Sequence, residues 1–246
     1  MTDPILTAET VTGEDERWRR GFEAHLHAEA QTREYRAIVD AIAAGRPARV
    51  LDWGCGYGQI SDMLRRRGFD VASFEYRGPG APDAEVPLGH YPQITAYVSS
   101  DPVALPYPDG SFDAVLSCGV LEHTGNQETN LDEVARVLRP GGRFYVYKLP
   151  NRFSYLEWIA RRMGLHYHGS EPGDMLFTVA QTRDLFTRHG YDVEAIRRAN
   201  MLPLTVGAVQ RFAPLWWSVN RLLARVPGLN LLATNIELIA RRADGR

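Results

Sequence analysis

The chain of 246 residues is poor in the features that define several protein classes. Its two cysteines, Cys55 and Cys118, are too few for a disulfide framework or a zinc site, which favours a reducing, cytoplasmic environment. No apolar run reaches the roughly 18 residues of a membrane-spanning helix, and no basic-apolar leader is recognisable. The net charge of −2 provides no basic field for nucleic acid, so we expect no nucleic-acid partner.

A P-loop is also missing, although a glycine-rich turn is present. In the segment 50–58 (VLDWGCGYG) an apolar run ends in an acid, and three glycines follow at alternate positions. This pattern predicts a buried strand that enters a tight turn, with a helix beginning near Gln59. Because no Gly-Lys-Ser or Gly-Lys-Thr follows, a P-loop is excluded. We expect a ligand at the carboxyl end of this strand, where open α/β sheets bind theirs.

The order of the glycines bears on the kind of ligand. A dinucleotide site requires G-x-G-x-x-G, whereas here the third glycine, Gly58, comes one residue early. Asp52 is unfavourable beside a pyrophosphate and suits a ligand that carries positive charge. A nicotinamide-dependent reductase is therefore kept only as a rival hypothesis.

Three later segments support a ligand site at the same edge of a sheet. A second predicted strand, Asp70–Glu75, ends in an acid that is placed to accept hydrogen bonds from ribose hydroxyls. Asp101 follows a third predicted strand, and Ala114–Cys118 is predicted as the fourth. A helix that stops at 140–142 (Pro-Gly-Gly) leads into a fifth strand.

These motifs, together with segment 105–113 (LPYPDGSFD), resemble the class I S-adenosylmethionine-dependent methyltransferases, in particular the small-molecule, methyltransferase type 11-like group. The resemblance covers residues 48–150 and implies S-adenosyl-L-methionine as cofactor. Asp52 would face its ammonium group, Glu75 would accept from its ribose hydroxyls, and Asp101 would accept from its adenine amino group. The residues implied as cofactor contacts are Asp52, Gly54, Cys55, Gly56, Tyr57, Glu75, Asp101, Pro102, Val103 and Cys118.

The implied fold is α/β, with a Rossmann-like, seven-stranded and mostly parallel sheet. Helices are expected on both faces, the last strand is expected to be antiparallel, and helical insertions are expected to cap the site. We expect one methyltransferase domain over residues 1–246. Its parts are an N-terminal helical cap (1–45), a cofactor-binding core (46–150), substrate or lid insertions (151–180 and 200–232) and segments that complete the sheet (181–199 and 233–242).

Apolar spacing predicts further elements outside the cofactor motifs. Residues 14–44 are predicted as one or two helices, and prolines and glycines predict an irregular segment at 77–92. A short helix with one apolar face is predicted over 155–163. Segment 212–226 has helical spacing and suits a lid or packed core helix, and less readily a dimer contact or a helix on a membrane surface. The stripes within 14–44 are Trp18, Phe22 and Leu26, and Tyr35, Ile38, Val39 and Ile42.

Catalysis with this cofactor requires alignment of the acceptor with the methyl group, and a base only where the acceptor must lose a proton. His123 is the base candidate by position, just past the fourth strand, and His166 and His168 are candidates in a polar loop. No metal is expected, because Gly119 replaces the first acid of the Glu-x-x-Glu-His motif of some quinone-pathway relatives. Weaker pocket candidates are Tyr57, Tyr147 and Asn151.

The acceptor is expected to be a small organic molecule that is methylated most readily on oxygen. Methylation of carbon or nitrogen in a metabolite or lipid-like acceptor stays an alternative, as does a non-catalytic scaffold that binds the cofactor. The motif of amino-methylating nucleic-acid enzymes is missing after the fourth strand, where segment 118–121 reads CGVL. A homodimer is compatible with the chain.

Overall fold

The protein is described here by a computed structural model that covers residues 28–164, 175–204 and 207–244. Its helices are α1 (Glu29–Ala44), α2 (Gln59–Arg65), α3 (Gln127–Val137), α4 (Tyr155–Arg162), α5 (Val179–Arg188) and α6 (Ala213–Leu223). Its strands are β1 (Arg49–Trp53), β2 (Asp70–Tyr76), β3 (Ala84–Pro87), β4 (Thr95–Ser99), β5 (Phe112–Cys118), β6 (Leu138–Pro150), β7 (Tyr191–Ala199) and β8 (Asn235–Arg242). Short 3-10 turns lie at Leu121–His123, Gly207–Phe212 and Leu229–Leu232. The predicted stripe at Trp18, Phe22 and Leu26 lies outside the described residues.

The strands form one mixed sheet in the order β3-β4-β2-β1-β5-β6-β8-β7. Strands β4, β2, β1, β5 and β6 run parallel, so their carboxyl ends lie at one edge of the sheet. The strand order reverses direction at β1, and a ligand cleft is expected at such a switch point. Strand β8 is antiparallel to both β6 and β7, which confirms the predicted antiparallel last strand.

Apolar side chains are buried on both faces of the sheet, as the fold prediction requires. On one face, α3 and α5 bury Leu131 and Phe186 against Phe144. On the other face, α1 and α2 bury Ile42 and Leu64 over β1 and β5. In these four helices the buried residues recur at helical spacing, so one face of each helix packs on the sheet. The Rossmann-like arrangement with helices on both faces is confirmed.

The number of strands is eight, which corrects the predicted seven. Ala84–Pro87 forms β3, antiparallel to β4, within the segment 77–92 that was predicted to be irregular. The proline ends an edge strand, where its missing N–H interrupts no ladder. Leu88 and Ile94, in the following turn, are buried in a cluster with Cys55. The segment therefore packs beside the glycine turn.

Two helices predicted from apolar spacing keep large apolar side chains in solvent. In α4, Trp158 and just beyond it Met163 are 61% and 66% exposed, so the predicted apolar face is not a buried one. Helix α6 confirms the helix predicted within 212–226, yet Leu215 and Leu222 are 64% and 63% exposed. The packed-core interpretation is therefore wrong for that face of α6. Within the described ranges, every helix is too short or too polar to cross a bilayer.

Candidate functional site

The glycine turn after β1 has the backbone conformation that its sequence predicts. Gly54, Gly56 and Gly58 have φ of 73°, 52° and 87°, a region that other residues adopt at a cost. A Cβ on Gly54 would lie 2.3 Å from Val120 Cγ2, and a Cβ on Gly58 would lie 2.5 Å from Leu88 Cδ1. A Cβ on Gly56 would meet no described atom within 4 Å. Two of the glycines therefore serve packing, and Gly56 borders open space.

Glu75, at the end of β2, meets this turn. Its Oε2 accepts a hydrogen bond of 2.6 Å from the amide of Gly56. Burial raises the pKa of Glu75 to about 7, although the Gly56 amide and Arg77 oppose the rise. A carboxylate beside an open stretch of backbone is an acceptor for the hydroxyl groups of a ligand. The structure thus brings the first two predicted motifs together, and the contact of Glu75 with a ribose stays a prediction.

Asp52, at the end of β1, is 2% exposed. Its carboxylate accepts a hydrogen bond of 2.6 Å from the Ser61 hydroxyl and another from the Ser61 amide, in the first turn of α2. The positive end of the helix dipole stabilises a negative charge at this position. Burial nevertheless raises the pKa of Asp52 to about 6. Asp52 therefore caps α2, a role that sequence reasoning missed, and its contact with an ammonium group stays a prediction.

The predicted adenine-side residues follow β4, which pairs with β2. Oδ1 of Asp101 accepts hydrogen bonds of 2.8 Å from the amides of Val103 and Ala104. The hydrogen bonds from Ala104 and Val103 lower the pKa of Asp101. Pro102 is exposed and Val103 is half-buried beside it. The structure thus places an ionised acceptor at the same sheet edge as Glu75.

The two cysteines do not have the environment of a nucleophile. Both are free thiols. Burial, and then the charges of Asp52 and Glu75, raise the pKa of Cys55 well above its usual value. Burial likewise raises the pKa of Cys118, at the end of β5. Because the thiolate is the reactive form, these thiols are suited to packing, as predicted.

Tyr57, within the glycine turn, pairs with an aromatic residue that sequence reasoning missed. Its ring centre lies 5.0 Å from that of His90, with the rings at 67°. His90 belongs to the connection between β3 and β4, the segment predicted to be irregular. The connection therefore places an imidazole beside the glycine turn, an arrangement that no local sequence signal indicates.

His123 lies in the 3-10 turn beyond β5, at the predicted edge. Its side chain is 51% exposed, and its Nε2 is 3.8 Å from Glu122 Oε1. Glu122 is 1% exposed, and Oε1 lies 3.7 Å from the position of a Cβ on Gly119. The buried carboxylate is therefore next to the end of β5, while His123 faces the rim. The role of His123 as a base stays a prediction, and His166 and His168 lie outside the described residues.

A buried ion pair lies on the other side of Gly119. Lys148 sits in a bulge of β6 with a φ of 62°, and its Cβ is 4.0 Å from the position of a Cβ on Gly119. Its Nζ lies 3.2 Å from Glu34 Oε2 and 4.7 Å from the ring centre of Tyr35. Burial alone would lower the pKa of Lys148, but Glu34 and Tyr35 raise it overall. The carboxylate of Glu34 therefore favours the ammonium form of Lys148.

Glu34 extends this ion pair into a polar network. Its Oε1 accepts a hydrogen bond from Asn200 Nδ2, although the two residues are 166 apart in the chain. Asn200 Oδ1 accepts a hydrogen bond of 2.9 Å from Asn220 of α6, whose Oδ1 accepts from the amides of Met201 and Leu202. The network joins α1, β6, β7 and α6. Only Asn200 had a sequence signal of this kind, as a polar residue just after a strand at the ligand edge.

A cavity of about 590 Å³ lies between α1, α6 and the strands β6, β8 and β7. Tyr147 and Trp217 contribute aromatic surface, and Glu34 and Glu237 contribute carboxylates. Burial raises the pKa of Glu237, and Arg197, whose Nη2 lies 2.6 Å from Glu237 Oε2, opposes the rise. The volume is in the range of sites for small organic ligands. Tyr147, predicted as a pocket residue, does line a cavity.

Asn151 does not face a ligand, which corrects its prediction as a pocket residue. It is fully buried, and its Nδ2 donates hydrogen bonds of 2.9 Å and 2.7 Å to the carbonyls of Leu231 and Ala233. It therefore ties the end of β6 to the turn before β8. In the described part of the chain, no group of three His, Cys, Asp or Glu side chains is placed to hold a metal ion.

Residues 51–146 match the methyltransferase domain family. A demethylmenaquinone methyltransferase of Thermus thermophilus is 33% identical over 123 residues, which are 49% of this chain and 56% of that protein. The chain thus spans little more than half the length of this curated relative. An uncharacterized methyltransferase of Mycolicibacterium gilvum is 30% identical over 220 residues, which are 80% of this chain and 77% of that protein.

A solved structure resembles the whole fold. It is a 1,6-didemethyltoxoflavin N1-methyltransferase of Burkholderia thailandensis, with 1,6-didemethyltoxoflavin and S-adenosylhomocysteine bound. The TM-score is 0.54 at 18% identity, over 97% of this chain and 94% of that one. At this identity the likeness concerns the fold alone.

Proposed function

Since the chain belongs to the class I S-adenosylmethionine-dependent methyltransferases, we propose that it transfers the cofactor's methyl group to a small organic acceptor, most readily to oxygen. The observation that carries the proposal is the hydrogen bond of 2.6 Å between Gly56 and Glu75, beside open space at the sheet edge. Bare backbone and a carboxylate acceptor together suit a ligand that contains a ribose and an amino-acid group.

The charges at this edge also fit the cofactor. Asp52 and Glu75 are carboxyl groups whose ionised forms are penalised by burial. A ligand with positive charge and hydroxyl donors relieves that penalty. Glu75 would hold the ribose, Asp101 the adenine amino group, and the turn at Gly54–Gly58 the methionine part. When bound, the cofactor supplies an electrophilic methyl group on a sulfonium, and the chain's residues have to orient the acceptor and exclude water.

We place the acceptor between Gly119 and the cavity behind Tyr147. Glu122 Oε1 and Lys148 Cβ approach Gly119 from two sides, and the ammonium group of Lys148 is paired with Glu34. An ion pair that neutralises its own charges suits an uncharged acceptor, such as a hydroxyl compound. His123, at the rim, would take the proton that the hydroxyl group loses. Demethylmenaquinone and 1,6-didemethyltoxoflavin, the molecules named for two matching proteins, support a small organic acceptor without identifying it.

Calorimetric titration of the purified chain with S-adenosylmethionine, with NADH as the comparison ligand, tests the proposed cofactor. We expect binding of S-adenosylmethionine alone, and weaker binding by Glu75→Gln. Glu85→Gln, which changes an exposed glutamate on β3, is the matched control and should bind like the unmodified chain. Binding of NADH without S-adenosylhomocysteine would favour the reductase hypothesis. Tight cofactor binding without turnover on a broad acceptor panel would favour the non-catalytic scaffold.

A further inference from the structure

The region around α6 differs in charge from the rest of the chain. Between Glu194 and Glu237 there is no Asp or Glu, although the whole chain has a net charge of −2. The same stretch contains five arginines, which are Arg197, Arg198, Arg211, Arg221 and Arg225. Arg197 is paired with Glu237, and Arg211, Arg221 and Arg225 are exposed. These three exposed arginines attract an anionic surface.

One face of α6 and its flanking turns is an apolar stripe that points to solvent. Its members recur at spacings of three and four residues, so they lie along one side of the helix. The stripe consists of Phe212, Leu215, Val219, Leu222 and Val226. Four of these are exposed, at 53%, 64%, 63% and 40% for Phe212, Leu215, Leu222 and Val226. We call this set the α6 stripe.

The opposite face of α6 is attached to the protein. Ala213 is fully buried in a cluster with Ala30 and Leu204, and Trp216 and Trp217 pack against that cluster. Asn220, also on the inner face, is 1% exposed. Because the inner face is anchored in this way, α6 holds its outer stripe in a fixed orientation.

Apolar and basic groups continue beyond the helix. Leu229, Leu231 and Leu232, in the next 3-10 turn, are 37%, 47% and 45% exposed. Arg211 lies over the ring of Phe212, with 4.8 Å from its Cζ to the ring centre, so positive charge lies beside the stripe itself. Aromatic and leucine side chains flanked by arginine are typical of helices that lie in the interface of a bilayer.

We infer that the α6 stripe docks on the surface of an anionic lipid bilayer, with its apolar side chains in the headgroup region and its arginines at the phosphates. The acid-free stretch decides between this surface and a second copy of the chain. Arg211 lies beside the stripe, whereas Arg221 and Arg225 are exposed at the cavity beside α6. In a symmetric dimer through the stripe, the exposed arginines of this stretch would be brought together without an Asp or Glu from the same stretch. An anionic bilayer instead compensates these charges.

Sedimentation of the full chain with lipid vesicles, without cofactor or acceptor, tests this docking independently of the proposed function. We expect binding at low salt to vesicles that contain phosphatidylglycerol and much weaker binding to pure phosphatidylcholine. Leu215→Gln combined with Leu222→Gln should weaken binding about tenfold or more, since it removes apolar contact. Arg221→Gln combined with Arg225→Gln should weaken it about twenty-fivefold, at about fivefold for each arginine.

The matched control is Arg183→Gln combined with Arg188→Gln, which removes two arginines from α5 on the other face of the sheet. It should bind vesicles like the unmodified chain, and thermal unfolding should show that every variant is folded. Failure of the folded chain to sediment at low salt would overturn the inference, as would equal binding to both vesicle types. Unchanged binding of the leucine variant, or light scattering that shows a stripe-dependent dimer without vesicle binding, would also overturn it.

Discussion

The two halves of the candidate site handle charge in opposite ways. On the cofactor side, burial raises the pKa of Asp52 to about 6 and that of Glu75 to about 7. On the acceptor side, the buried carboxylate of Glu34 lies 3.2 Å from the ammonium of Lys148. A cationic ligand would therefore stabilise the ionised carboxylates of the cofactor side. On the acceptor side, the ammonium group of Lys148 already neutralises the carboxylate of Glu34. The comparison favours an uncharged acceptor for a charged cofactor.

The halves also differ in how they are assembled. The cofactor side consists of a tight turn and the ends of neighbouring parallel strands, with Gly56 and Glu75 only 19 residues apart. The acceptor side depends on Glu34, Lys148 and Asn200, which come from distant parts of the chain. Substitutions on the first side should therefore act mainly on ligand binding or on local packing. Substitutions on the second side should act mainly on the docking of α1 and α6.

The largest effect is expected at Gly54. Gly54→Ala should lower the free energy of unfolding by about 4 kcal/mol, since positive φ costs about 1–2 kcal/mol and the contact with Val120 adds about 1–3 kcal/mol. Gly56→Ala has the same backbone cost of about 1–2 kcal/mol without the contact, but its methyl group would occupy the open space. We expect it to abolish binding of S-adenosylhomocysteine. Urea denaturation and calorimetry measure the two effects, and equal losses of stability would contradict the division of roles.

The next largest effect is expected at the buried ion pair. Lys148→Met should lower the free energy of unfolding by about 3 kcal/mol, because it leaves the charge of Glu34 buried and uncompensated. Adding Glu34→Gln should recover most of the lost stability. Binding of S-adenosylhomocysteine should stay unchanged in both the single and the double variant. Urea denaturation distinguishes the single from the double variant. A double variant as unstable as the single one would mean that the ion pair is not what holds α1 at β6.

A smaller effect, with a defined pH dependence, is expected at Glu75. Glu75→Gln should weaken cofactor binding by about 2 kcal/mol, the size of a hydrogen bond to a charged group. In the unmodified chain the free carboxyl group has a pKa of about 7, and ribose hydroxyls bind its ionised form. Binding therefore releases a proton, and affinity rises as pH increases through this value.

Calorimetric titrations at about pH 5.5 and about pH 8.5 measure this dependence. Glu75→Gln should lose the rise near pH 7 and keep a smaller rise near pH 6, where Asp52 titrates. The control Glu85→Gln should keep the full dependence. If Glu75→Gln showed the same rise as the unmodified chain, the titrating group would be a different residue.

The smallest effect is expected at Cys118. Burial keeps its thiol protonated, so Cys118→Ala should change the rate of methyl transfer less than the other substitutions do. Iodoacetamide should modify this thiol slowly at neutral pH for the same reason, as followed by mass spectrometry. Rapid modification that abolishes methyl transfer would show that the thiol takes part in the reaction.

Much of the cofactor side was predictable from local pattern. An apolar strand followed by glycines and an acid at the next strand end each occupy a short segment, and each forms where predicted. The helix predicted to stop at Pro-Gly-Gly ends earlier, at Val137, and residues 140–142 lie within β6. The roles of Asp52 and Asn151 were harder to predict. A polar residue at a strand end can face a ligand or bond to nearby backbone, and Asn151 does the latter. Composition misled the prediction at β3, because a proline is tolerated at the end of an edge strand.

The sequence by itself determined the resemblance to the family and the positions of the main strands along the chain, because each motif or periodic pattern occupies a short segment. Only the tertiary structure decided that Glu34 meets Lys148 and Asn200, and that the inner face of α6 is buried while its stripe stays exposed. Helical spacing identifies an apolar face but not what covers it. Contacts between distant segments form only when the whole chain has folded, so no local pattern encodes them.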